Sequence, residues 1–116
     1  MQNDLITWIF IALTLFLVVR YFVSARARIS SKDAHEKVAA GALLLDVRSE
    51  GEFRSGSIAG AKNIPVAALG QRMSELDKAR PVVVFCASGM RSASAAGYLK
   101  RNGFQEVHDL GPASAW

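Results

Sequence analysis

PVVVFCASGMRSASAAG, residues 81–97, runs from a proline through a continuous apolar stretch to the only cysteine of the chain, then into a string of small residues. Val82, Val83, Val84 and Phe85 read as a strand buried on both faces, because an apolar run without alternation leaves no side for water. Pro81 is tolerated at a strand's first position. From about Met90 to Asn102 the pattern is helical and is stopped by Gly103, a residue suited to the left-handed position after a helix end. Cys86 therefore stands where a buried strand hands over to a helix.

Outward from that junction the same alternation recurs. ALLLDV, residues 42–47, reads as a second fully buried strand, preceded by a helix over residues 32–40 that Gly41 stops. Ser49-Glu50-Gly51-Glu52 has the form of a capping box opening a short helix, which Gly56 ends. Ala61 to Pro65 reads as a short strand, and Val66, Leu69, Met73 and Leu76 then recur at helical spacing as core packing. Val107 and Leu110 mark one more short strand. Strands alternating with helices imply right-handed crossovers and a parallel sheet covered on both faces. Ligands of such sheets bind beyond the carboxyl ends of the strands, which is where Cys86 lies.

Composition narrows the chemistry. With 116 residues, 51% of them hydrophobic, the chain holds one compact domain. A single cysteine excludes an internal disulfide, a CxxC redox pair and a cysteine-rich zinc site, and it fits a reduced compartment. His35 and His108 are isolated from any ligand cluster and read as ordinary surface or packing residues, so no metal is expected. The net charge of +4 owes much to Arg20, Arg26 and Arg28, whereas from Ile29 onward eleven basic residues face nine acidic ones. Such a balanced surface gives no support to nucleic-acid binding.

LITWIFIALTLFLVVRYFV, residues 5–23, is apolar apart from Thr7, Thr14 and Arg20. As a helix rising about 1.5 Å per residue it would span roughly 28 Å, nearly a bilayer core. Arg20 lies near enough its end to snorkel, and Trp8 and Tyr21 suit the two interfacial aromatic belts. A helix buried in a soluble domain would need apolar partners on every side, which the remainder is too small to supply. Ala25-Arg26-Ala27 has the small-x-small form of a signal cleavage site, but the MQND start lacks the positive charge of a secretory signal. The basic residues follow the apolar run, so the positive-inside rule puts the amino terminus outside and the domain in the cytoplasm. The expectation is a single-pass inner-membrane anchor over 1–23, a basic juxtamembrane linker over 24–31 resting near anionic head groups, and a folded domain over 32–116.

The position of Cys86 is chemically loaded. Amides of the turn and of the first helical turn have no intrahelical partner, and with the helix dipole they favour a negative charge among them. A thiolate there is stabilised and its pKa lowered. Gly89 permits a tight curl with donors inward, Ala87 and Ser88 are too small to fill it, and Arg91 adds a positive charge at its end. The alternative is that Cys86 is one more small buried hydrophobe.

DVRSEGEFRSGSIAGAKNIP, residues 46–65, and VVVFCASGMRSASAAGYLKRNGF, residues 82–104, resemble the two signature regions of the rhodanese family. The resemblance implies an α/β three-layer fold around a five-stranded parallel sheet. It implies sulfurtransferase chemistry through a persulfide on Cys86, with the loop residues Ala87, Ser88, Gly89, Met90, Arg91 and Ser92 cradling the transferred sulfur. Sulfur donor and acceptor both come from outside, and no cofactor is implied. Asp46 and Arg48 match the family's Asp-x-Arg; Asp46 and Glu52 are expected in structural support, and Arg48 is a candidate substrate contact. Ser57 and Pro112 depart from the family pattern, which often has histidine and glycine there. Related phosphatases and arsenate reductases place five residues between cysteine and arginine, whereas four separate Cys86 from Arg91, and Ser92 stands where their arginine would be. The rival reading is a non-catalytic rhodanese-fold module that binds a membrane partner or relays sulfur to one.

Overall fold

The computed structural model of the chain describes residues 2–116, and their side chains outside positions 2 and 23–26. The Ala25-Arg26-Ala27 reading and the contribution of Arg26 to the basic linker fall outside the described side chains. Four strands form one parallel sheet in the order β2-β1-β3-β4: β1 Leu43–Asp46, β2 Lys62–Asn63, β3 Val82–Cys86 and β4 Val107–Pro112. The two apolar runs of the sequence are the central pair, and every residue of both is buried. Their side chains alternate between two clusters, as strand geometry requires. Leu43, Leu45, Val82, Val84 and Cys86 enter one, while Leu44, Val83 and Phe85 enter the other. Full burial of each such side chain is worth about 1.5–3 kcal/mol.

Helices cover both clusters. The first lies under α4 (Leu69–Arg72) and α5 (Met90–Arg101), the second under α2 (Ser31–Ala39) and the carboxyl segment, where Trp116 stacks on His35 with ring centroids 3.6 Å apart. Ala95 and Ala96 of α5 are buried against the sheet. The capping box is present: Ser49 accepts from the Glu52 amide, and Glu52 accepts from the Ser49 amide, at the start of α3 (Glu50–Ser55). The stripe from Val66 to Leu76 is not one helix. It is a short α4 between two 3-10 turns, Val66–Ala68 and Met73–Glu75, with Leu69 buried and Val66, Met73 and Leu76 packed against the core.

Five strands were expected, and among the described residues four form. Beside β4, only residues 27–30 lie between the end of α1 (Gln2–Arg26) and the start of α2. That stretch passes along the sheet edge and makes a single backbone bond to it, Ile29 N–H to Asp109 C=O at 2.9 Å. With that single bond the stretch forms no ladder.

Helix α1 continues past the expected anchor end at residue 23. Its segment Asn3–Phe22 is long and apolar enough to cross a membrane, and none of it is buried against the domain. Thr7 and Thr14 donate their hydroxyls to the carbonyls of Asn3 and Phe10 at 2.7 and 2.8 Å, satisfying within the helix the groups that lipid could not.

Leu45→Ala is expected to lower unfolding free energy by about 2–5 kcal/mol, and Ser49→Ala by about 1 kcal/mol. Urea unfolding of the detergent-solubilised chain, followed by Trp116 fluorescence in a Trp8→Phe background, measures both.

Candidate active site

Cys86 closes β3 and has 0% of its surface exposed. Ala87 and Ser88 are exposed, and Gly89, at φ +102°, caps the amino end of α5. The resulting curl turns main-chain donors onto the sulfur: the Gly89 amide donates to Cys86 Sγ at 3.0 Å and the Ser92 amide at 3.3 Å. Ser92 is fully buried, and its hydroxyl donates to the Gly89 carbonyl at 3.1 Å, bracing the curl from inside. Burial pushes the Cys86 thiol up; the Ser92 hydroxyl and the amides of Ser92, Gly89 and Ser88 pull it down, and the balance lies below the ordinary thiol value. One hydroxyl hydrogen serves one acceptor at a time, and that of Ser92 is directed at the Gly89 carbonyl. The amides are thus the steadier donors to sulfur.

A bulge in β4 shapes the other wall. The β3–β4 register slips between Val84 and Phe85, so that Phe85 faces Gly111 and Cys86 faces Pro112. Gly111 adopts φ +84° and donates its amide to Asp109 Oδ1 at 2.8 Å. Bulges re-aim backbone beside functional sites, and here Pro112 is set next to the cysteine.

The arginines and carboxylates named from the sequence form two pairs around the loop. Arg91 makes a bidentate contact to Glu52 at 2.7 and 3.0 Å. Its guanidinium holds the Glu52 carboxyl down at about 2, aided by the Ser49 amide. The charge expected of Arg91 at the loop end is therefore balanced by α3. Arg48 makes three bonds to the Asp46 carboxylate at 2.7–3.1 Å, donates to the Gly56 carbonyl at 2.7 Å, and lies with its guanidinium carbon 6.0 Å from the Phe85 ring centre. Asp46 is fully buried and also accepts from the Arg48 amide at 2.9 Å. Met90 is 81% exposed beside the loop.

Three residues near the site carried no signal in the sequence. Ser57, which stands where the family often has histidine, donates to Asp46 Oδ2 at 2.9 Å. Asn63 donates from Nδ2 to the carbonyls of Asp46 and Arg48, both at 2.9 Å, tying β2 to the end of β1. Arg28 lies across the loop itself: a β-carbon built on Gly89 would stand 3.0 Å from its guanidinium carbon, and one on Gly111 would stand 3.0 Å from its Nε. Among the described residues no three His, Cys, Asp or Glu side chains gather as a metal site.

Known proteins resemble this chain in sequence and fold. The Rhodanese-like domain family matches residues 30–114. A protein named thiosulfate sulfurtransferase GlpE from Stutzerimonas stutzeri is 36% identical over 83 residues, 72% of this chain and 76% of its own. The uncharacterized protein YqhL of Bacillus subtilis is 36% identical over 113 residues, 95% of this chain and 88% of its own. Among solved structures, the human single-domain sulfurtransferase TSTD1 superposes with a TM-score of 0.66 at 27% identity, covering 78% of this chain and 91% of the human one. A parallel sheet that ends in a cysteine cradled by main-chain amides, matched over nearly the whole folded region, places this chain in the rhodanese-like domain family.

Proposed function

We propose that the chain is a sulfurtransferase that carries sulfur as a persulfide on Cys86. The observation that carries this reading is the pair of amides, Gly89 and Ser92, directed at Sγ. In the first step the thiolate attacks the outer sulfur of a donor of the thiosulfate class. A new S–S bond forms to Cys86, the donor's S–S bond breaks, and its electron pair leaves on sulfite. In the second step cyanide or a thiolate attacks the outer sulfur, and the persulfide's bonding pair returns to Cys86 Sγ. Total charge is unchanged in both steps, and neither calls for an external oxidant.

The residues of the loop divide this work. Amides of Ala87, Ser88 and the first turn of α5 receive the negative outer sulfur, since helix-start donors have no intrahelical acceptor. Cys86 has no exposed surface, so the donor enters as the exposed Ala87 and Ser88 give way. Asp46, Arg48, Glu52 and Arg91 hold the surrounding loops as two ion pairs. Arg91 follows Cys86 after four residues and is turned to Glu52, so it does not close the donor ring around a phosphate-sized oxyanion, which favours sulfur over phosphoryl transfer. Helix α1 anchors the domain in the inner membrane, with the amino terminus outside and the domain in the cytoplasm beside the basic linker.

Intact-mass measurement after thiosulfate treatment is expected to show a gain of one sulfur in wild type and none in Cys86→Ser. Equal behaviour of the two would leave only a non-catalytic binding module. Ser92→Ala, which removes the brace on Gly89, is expected to slow sulfur uptake about two- to tenfold, the size of one lost hydrogen bond between uncharged groups. For topology, protease added to spheroplasts is expected to spare the domain, and digestion from outside would reverse the assignment.

A further inference from the structure

The two arginines that the sequence places beside Cys86 are both neutralised, Arg48 by Asp46 and Arg91 by Glu52. A third cation reaches the loop from the segment after α1. Arg28 lies against the backbone of Gly89, the cap of α5, and of Gly111, the bulge glycine of β4. Both glycines have positive φ; a side chain on Gly89 would collide with the guanidinium group, and one on Gly111 would press tightly against it. The chain just beyond Arg28 is fixed: Ile29 bonds to Asp109 and packs on the second core cluster, and Ser30 caps α2 by accepting from the Asp33 amide at 3.1 Å. Arg28 is exposed and makes no ion pair among the described residues.

A guanidinium without a carboxylate, lying at the rim of a cradle of main-chain N–H groups, is a receptor for an anion with oxygen at its surface. We propose that Arg28 is the donor-recognition residue, binding the oxyanion end of a thiosulfate or thiosulfonate while the outer sulfur is presented to Cys86. The substrate rests on the sulfurtransferase reading above; the new element is that recognition comes from the segment joining the apolar helix to the domain. Arg28 acts here on binding, and the bonds made and broken are those of the first step already described. Its position two residues beyond α1 makes donor affinity depend on how the helix end meets the domain.

The full chain in detergent, as wild type, Arg28→Gln and Arg28→Lys, is titrated with thiosulfate, and Cys86 alkylation by iodoacetate and by iodoacetamide is followed by mass. Arg28→Gln is expected to raise KM about fivefold and leave kcat within about twofold, as for lost ground-state binding through one exposed charge contact. It is expected to lower the iodoacetate to iodoacetamide rate ratio by a similar factor, and Arg28→Lys to restore most of both. The alkylation ratio involves no sulfur transfer, so a wild type that takes no sulfur from thiosulfate would sink the sulfurtransferase reading while the ratio still decides on Arg28. An unchanged ratio in Arg28→Gln, or a thiol that neither reagent reaches, overturns the proposal.

Discussion

The amides of Gly89 and Ser92, bonded to Cys86 Sγ, are the contact on which the chemistry of this chain depends. A sulfur with no exposed surface would ordinarily stay protonated, because burial opposes its charge. The Ser92 hydroxyl and the main-chain donors reverse that balance, and they do so only in one backbone shape. The shape needs a buried strand to deliver the cysteine, a residue tolerating φ +102° three positions on, and a small hydroxyl residue inside the curl. Val82–Phe85, Gly89 and Ser92 supply these in turn.

The rest of the domain holds that shape. Asp46 is a fully buried carboxylate, and such a charge is tolerated when every oxygen is engaged. Arg48, Ser57 and its own chain's amide at position 48 engage it, and Asn63 fastens the next strand to the same corner. Glu52 performs two tasks, capping α3 and pairing with Arg91 at the start of α5. The two helix starts are thereby tied together across the rim. No buried side-chain nitrogen or oxygen among the described residues is left without a partner.

What the sequence made legible follows from the range of the physics involved. Continuous apolar runs at 42–47 and 82–85 state their burial directly, and both became central strands. The capping box at Ser49 and Glu52 and the glycine at the start of α5 are local signals with local causes. The β4 bulge was hidden because its extra residue shows only against the partner strand. The number of strands came from resemblance, and among the described residues four form, with residues 27–30 touching β4 through one backbone bond. The partners of Arg91 and Arg28 were equally hidden: each depends on elements far apart in the chain, where residue type gives charge without direction.

The most direct measurement is an ultraviolet titration of the Cys86 thiolate, with Cys86→Ser as the blank. Cradled by amides, the thiol is expected to ionise with a midpoint below the ordinary value of 9.0, and Ser92→Ala to move that midpoint upward. A midpoint at or above the ordinary value in the wild type, unmoved by Ser92→Ala, would contradict an origin of this sulfur's reactivity in the hydrogen-bond donors of the loop.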